Sequence, residues 1–405
     1  MSPKILFVDH DKNILDSFRA MMHGLRKEWK SRFAATGQDT LEMIGKNEFD
    51  VVITDMKLPD MDGCELLNKI AKIQPDTIRI MLSGHSDMPS LLKSAKHTHQ
   101  FLSKPCSTDL LINTIRRMME LRPILEDREV RKIVTGLDAL PALPDLYIEI
   151  TRELNKPEPS LQKIGELAKK DPGISTTLLK VVNSSFFGFY GSVSCPSRAA
   201  VLLGTDVLKG LILGVHFLQE LDTDILGPYS IEKLWEHCLQ TGYLAKGVCA
   251  FMDADEKTVT DCFVAGLLHD IGKFVFITEM NKEYQEVLKN VREFGGPVIN
   301  VEKKILGVSH AEVGAYLLGL WGFNEEIVKM VYFHHSLENC DNVFTPTHAI
   351  HAADVLQHEL IPHTSGYIFT EFNDNKLAAA GLLKHINDWR AECNNLLENK
   401  HEEEK

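Results

Sequence analysis

The sequence has no Cys-x-x-Cys pair: its eight cysteines, at 64, 106, 195, 238, 249, 262, 340 and 393, keep no regular spacing. Neither a disulfide framework nor a four-cysteine zinc module is expected, and the thiols read as reduced and mostly buried in a cytoplasmic protein. A membrane-length apolar run is also missing. The best stretch, Leu211 to Leu218, is interrupted by Gly214 and His216, well short of the ~20 residues a span needs. The first apolar run, Ile5 to Val8, is too short for a signal peptide and ends at Asp9. No internal repeat or low-complexity tract is evident, which excludes solenoid and fibrous architectures. Basic charge is scarce in one half of the chain. Residues 1–125 hold 18 Lys+Arg against 16 Asp+Glu, whereas residues 126–405 hold 26 against 41, within a net charge of −13. An acidic second half repels a phosphate backbone, so no DNA binding is expected.

What is present is ordinary globular composition, 44% hydrophobic and 25% charged over 405 residues, enough for roughly two to three domains. Strand-like runs at Lys4–Asp9, Arg32–Ala35, Phe49–Asp55, Thr77–Ser83 and Gln100–Leu102 alternate with helix-length segments near 12–25, 38–47, 63–73, 87–96 and 107–120. The continuously apolar Val51-Val52-Ile53 suits a central strand covered on both faces. The pattern predicts an α/β doubly wound five-stranded parallel sheet over residues 1–120. A charged helical linker follows at 121–136, and Leu140-Pro141-Ala142-Leu143-Pro144 punctuates the chain. Residues 137–398 read as an all-α domain, with helices near 145–155, 160–170, 173–183, 196–220, 230–252, 258–269, 279–294, 299–304, 309–320, 324–333, 345–359 and 376–398. Residues 399–405 read as a charged tail.

Each half carries one constellation of polar residues. In the first, Asp9, Asp11, Asp55, Ser83 and Lys104 fall at or just beyond strand C-terminal ends, where open parallel sheets bind ligands. Clustered acids repel one another unless a cation such as Mg²⁺ sits among them, and a carboxylate beside Mg²⁺ can accept a phosphoryl group. In the second, His237, His269, Asp270, His310, His334, His335 and Asp354 each lie on an otherwise apolar element. Imidazoles with carboxylates suit Fe, Mn or Zn, and Lys273 is placed to contact a phosphate. A hydrogen-bonded polar core without metal explains the same residues, and both readings stand. His351, Asp354 and His358 share a helical face and are read as a solvated surface cluster.

The runs Ile5–Asp9, Val51–Gly63, Leu82-Ser83-Gly84 and Phe101–Pro105 resemble a response-regulator receiver domain. The resemblance implies Asp55 as phosphoacceptor, Asp9, Asp11 and Asp55 around Mg²⁺, and Ser83, Phe101 and Lys104 as switch and phosphate contacts. It also implies a sensor histidine kinase or phosphotransfer protein as partner. One position departs: His10 stands where a second consecutive acid is usual, which is expected to lower Mg²⁺ affinity. The helical half, from Leu140–Pro144 through Leu178–Gly188, Ala265–Lys273, Gly307–Gly314, Trp321–Phe323 and Tyr332–His335, resembles the HDOD (HD-related output) domain of the HD superfamily. That implies an output acting mainly through contacts with a downstream protein or a homodimer interface, and not at a membrane. The alternative is a phospho-regulated, metal-dependent phosphodiesterase acting on a cyclic dinucleotide. Against it, Ser336-Leu337-Glu338-Asn339 replaces the Gly-Tyr-Pro of the c-di-GMP-cleaving branch.

Overall fold

The computed structural model describes residues 2–83, 98, 100–104, 106–120, 130, 145–154, 156, 160–183, 193–220, 230–337, 340, 343–361 and 371–403. The predicted helix at 87–96 and, Val130 apart, the linker at 121–136 lie outside the described residues. The chain divides near residue 142 into an α/β unit and a helical unit. Among the described residues no helix is long and apolar enough to cross a membrane.

In the first unit, strands β1 (Lys4–Val8), β2 (Lys30–Ala34), β3 (Val51–Asp55), β4 (Ile78–Ser83) and β5 (Gln100–Ser103) form one parallel sheet in the order β2-β1-β3-β4-β5. Helices α1 (Lys12–Leu25), α2 (Gly37–Lys46), α3 (Gly63–Ile73) and α4 (Thr108–Glu120) alternate with the strands. Every residue of β3 is buried, as its unbroken apolar run requires of a strand covered on both faces. Polar caps fix the helix starts: Asp11, Thr36 and Asp62 accept backbone N–H groups at α1, α2 and α3. The carboxylate of Asp60 reaches across to the backbone N–H groups of Gly37 and Gln38.

The second unit is helical throughout its described residues. Its elements are α5 (Asp145–Leu154), α6 (Leu161–Ala168), α7 (Pro172–Val182), α8 (Pro196–Leu203), α9 (Thr205–Glu220), α10 (Ile231–Phe251), α11 (Glu256–Leu268) and α12 (Ile271–Glu279). There follow α13 (Asn281–Phe294), α14 (Val298–Leu306), α15 (His310–Leu320), α16 (Glu325–Phe333), α17 (Pro346–Leu360), α18 (Asp374–Ala379) and α19 (Ile386–Glu403). The helix expected over 196–220 is two helices, because Gly204 takes φ +80°, a left-handed conformation that ends α8. The expected 376–398 helix is likewise interrupted, with Gly381 at φ +68° between α18 and α19. The last helix continues to Glu403 through most of the presumed tail. Helix α12 was not among the helices expected from the sequence. Every residue from Ile271 to Ile277 is buried, which leaves no amphipathic period to read.

Helix α10 packs most extensively against α11 and α17, and these three form the middle of the unit. The α10–α11 crossing is close because two glycines face each other. A Cβ built on Gly266 would lie 2.7 Å from the Gly242 Cα. Since both neighbours are backbone, the helices would have to separate. Gly266→Ala is therefore expected to lower stability by about 1–3 kcal/mol in denaturant titration. Gly24→Ala in α1, where nothing lies within 4 Å of the added atom, should be neutral or slightly stabilising.

Candidate functional site

The sheet order places Asp9, just past β1, and Asp55, ending β3, on adjacent strands at the topological switch point. Lys104, just past β5, reaches both acids: its Nζ donates to Asp9 Oδ2 and to Asp55 Oδ1, each at 2.6 Å. Burial opposes the charge on Lys104, but the hydrogen bonds to Asp55 and Asp9 raise its pKa above the ordinary lysine value. The remaining carboxylate oxygens face His10, whose Nδ1 lies 3.3 Å from Asp55 Oδ2 and 3.7 Å from Asp9 Oδ1. Asp11 takes a different task from the metal-site role expected of it. Its carboxylate caps α1 by accepting the Asn13 N–H, and its own N–H donates to Asp9 Oδ1. Ser83 ends β4 in register with Ser103, and Phe101 pairs with Met81; the side chains of Ser83 and Phe101 lie outside the description.

In the helical unit the structure brings His237, His269, Asp270, His310, His334, His335 and Asp354 into one interior, with Lys273 beside them. Local chemistry fixes several of these rings. His269 and His334 are the C-caps of α11 and α16, where helix carbonyls lack partners. Each donates its Nδ1–H to one of them, Gly266 O at 2.7 Å and Val331 O at 2.6 Å. His310 opens α15 directly after Ser309, which forms a reciprocal capping pair with Glu312. Its Nδ1–H donates to Glu302 Oε2 at 2.6 Å, and its backbone N–H donates to the same oxygen. His237 turns its Nδ1 to Gln357 Oε1 at 2.6 Å, while the Gln357 amide nitrogen donates to Gln240.

In His237, His269, His310 and His334, with Nδ1 donating to its acceptor, a neutral ring leaves Nε2 as a lone pair. These lone pairs converge. The Nε2 atoms of His237 and His269 are 3.1 Å apart, and those of His310 and His335 are 3.0 Å apart. His237 Nε2 lies 3.3 Å from Asp354 Oδ1, and His310 Nε2 lies 3.2 Å from Asp270 Oδ1. Both Asp270 Oδ1 and His334 Nε2 are buried without a hydrogen-bond partner among the described residues. Lone pairs and carboxylates in mutual contact repel unless a cation lies among them. Burial opposes the charge of Asp270 and Asp354, yet the surrounding imidazoles, with Lys273 at Asp270, hold both well below the usual carboxylate range. Burial and neighbouring rings push His334 and His335 well down, so both stay neutral. His269 is raised against burial by Asp270 and Asp354, which makes a proton the competitor of a metal ion at that ring.

Three carboxylates, Asp270, Asp354 and Glu302, face one ammonium, Lys273, all of them buried. The formal surplus equals the charge of one divalent ion. The donor set therefore fits a transition metal. Sequence reasoning missed Glu302 and Gln357 and placed His358 on the surface. The face of α17 read as a solvated cluster is buried instead, with His351 at 1%, Asp354 at 2% and His358 at 9% exposure. The spacing was legible, but α10 and the other helices that cover the face are remote in sequence.

Two outcomes follow from these contacts. Glu302→Gln, which removes the charged acceptor of His310, should weaken transition-metal binding about 10–100-fold by calorimetric titration while the fold is retained. His348 contributes to the acid response alongside the other buried histidines whose pKa burial lowers. Its Nδ1 accepts from the N–H and hydroxyl of Thr345 at the start of α17, and burial lowers its pKa from 6.5 to about 4. The unfolded chain takes up this proton below pH 6.5 and the folded chain does not, so stability should fall between pH 6.5 and 4. His348→Gln should reduce that slope, leaving the share of the other buried histidines, in melting curves recorded across the same range.

Comparison with known proteins finds a family for each half of the chain. Residues 5–116 match the response regulator receiver domain, and residues 140–337 match the HDOD domain. An uncharacterized protein of Treponema pallidum is 30% identical over 244 residues, covering 58% of this chain and 45% of its own length. The C4-dicarboxylate transport transcriptional regulatory protein DctD of Rhizobium meliloti is 28% identical over 133 residues, 32% of this chain and 28% of its own. The matches thus span less than half the length of either relative. A crystal structure from Shewanella amazonensis SB2B, provisionally described as a phosphohydrolase, shares the fold with a TM-score of 0.51 at 19% identity. That alignment covers 68% of this chain and 95% of the other. The chain thus joins a response-regulator receiver domain at residues 5–116 to an HDOD domain at residues 140–337.

Proposed function

We propose that this response regulator takes a phosphoryl group on Asp55 from a sensor histidine kinase or phosphotransfer protein. The phosphorylated state then controls an HDOD output module organised around a transition-metal centre. At the receiver, Asp55 attacks the phosphorus of the donor and the donor's bond to phosphorus breaks. A divalent cation, Mg²⁺ by family resemblance, would be held by Asp9 and Asp55 and would offset the charge of the incoming group. Lys104, already within 2.6 Å of Asp55 Oδ1, is placed to move onto a phosphoryl oxygen.

The convergence of anchored imidazoles on Asp270 and Asp354 carries the reading of the output domain. His237, His269, Asp270, His310, His334, His335 and Asp354 would hold the metal, and Glu302 and Gln357 would fix the orientation of their rings. The module then acts through contacts with a downstream protein. A second reading, phosphoester hydrolysis, is favoured by the number of donors. Seven exceed the four of a closed structural site, and a second divalent ion would turn the centre cationic towards phosphate.

Acetyl phosphate with a divalent cation should label the wild-type chain and not Asp55→Asn; equal labelling would remove Asp55 as phosphoacceptor. Elemental analysis of chain purified without chelator should find about one or more Mn, Fe or Zn per chain. The His269→Ala/Asp270→Ala double variant should lose the metal. Turnover of c-di-GMP or a generic phosphoester by the metal-loaded wild type, absent from the double variant, would select the hydrolytic reading over the contact-based one.

A further inference from the structure

The receiver rim holds a donor set that its resemblance to receivers does not lead one to expect. Asp9, His10 and Asp55 each offer one ligand atom, all within 4.8 Å of one another. A cation with bonds of about 2.1 Å keeps neighbouring donors roughly 3.0–3.4 Å apart at angles of 90–110°. His10 Nδ1 stands 3.3 Å from Asp55 Oδ2, which is coordination spacing, and 3.7 Å from Asp9 Oδ1, a few tenths of an ångström wider. The carboxylate oxygens are divided in their duties. Asp9 Oδ2 and Asp55 Oδ1 accept from Lys104, which leaves Asp9 Oδ1 and Asp55 Oδ2 facing the imidazole. Asp11 does not complete an all-oxygen set, because its carboxylate is held at the N-terminus of α1 by the Asn13 N–H at 2.8 Å. His10 is half-exposed at 53%, so binding a cation displaces water from it rather than a protein partner.

We infer that the receiver cation site is a mixed nitrogen–oxygen site in which His10 is the third protein ligand, selecting Mn²⁺ or a similar first-row transition ion over Mg²⁺. The inference rests on Asp55 being the phosphoacceptor. Mg²⁺ is hard and prefers oxygen, and it gives up water reluctantly. Imidazole instead adds affinity for first-row transition ions over Mg²⁺, least for Mn²⁺ and more along the row. Phosphorylation of this chain then follows the transition-metal supply more closely than the Mg²⁺ supply.

The test uses the full chain and two readouts. Acetyl-phosphate labelling of Asp55 is titrated with Mg²⁺ and with Mn²⁺ in wild type, His10→Asp and His10→Asn. Pulsed electron paramagnetic resonance of bound Mn²⁺ is compared between wild type and each variant. The helical unit's own histidines are common to all three proteins and cancel in the difference. The expected result is a preference for Mn²⁺ over Mg²⁺ in wild type that falls at least tenfold in both variants. Nitrogen coupling from one imidazole should be lost in both. His10→Asp should also lower the half-saturating Mg²⁺ concentration. A preference unchanged within twofold, with no nitrogen coupling lost, would overturn the inference and leave Asp55 in place. Labelling of Asp55→Asn equal to wild type would instead overturn the phosphoacceptor reading.

Discussion

Two aspartates removed from water must be compensated, and most of the helical unit is arranged around that requirement. Asp270 and Asp354 are buried at 0% and 2% exposure and face imidazole nitrogens that have already spent their hydrogens elsewhere. A buried carboxylate without a partner is among the costliest groups a fold can carry. Lys273, bonded to Asp270 at 2.6 Å, meets part of the demand. The remaining charge suits a cation, and four of the rings, His237, His269, His310 and His334, are held by an amide, a carbonyl or a carboxylate at Nδ1. Helix ends at His269 and His334 do two things at once: they satisfy orphan carbonyls and they aim lone pairs inward.

The receiver meets a similar problem on a smaller scale and more openly. Asp9 and Asp55 repel each other, and Lys104 bridges them from β5 while His10 stands on the far side. An added phosphoryl group would redraw this balance, because the ammonium now shared by two acids gains a third claimant. Both sites thus gather negative charge that a cation would offset. In a signalling chain, that makes each half responsive to a small ligand while its scaffold stays fixed.

Much of this was legible in the sequence, because the motifs combine position with chemistry. Asp55 closes a strand that opens with the apolar run Val51–Ile53, and His269-Asp270 and His334-His335 follow apolar stretches at the ends of their helices. Burial could therefore be read from their flanks. What escaped reading was whatever depends on remote neighbours. Asp11 is adjacent to the rim in sequence, but capping α1 turns its carboxylate away. Glu302 lies in Val301-Glu302-Lys303-Lys304, which reads as a solvated turn of helix, yet it is fully buried against His310. Helix α12 was not among the expected helices, since burial of every residue from Ile271 to Ile277 leaves no amphipathic period to read. Gly204 and Gly381 divide helices that periodicity alone joins.

The central claim is that the buried imidazoles form a metal centre and not merely a polar core. X-ray absorption at the metal edge of the Mn-, Fe- or Zn-loaded chain tests it most directly. The account predicts a nitrogen and oxygen shell near 2.0–2.2 Å with outer-shell scattering from about three or more imidazoles per chain. A shell of water and carboxylate oxygen alone, or a chain that retains no metal at neutral pH, would contradict it.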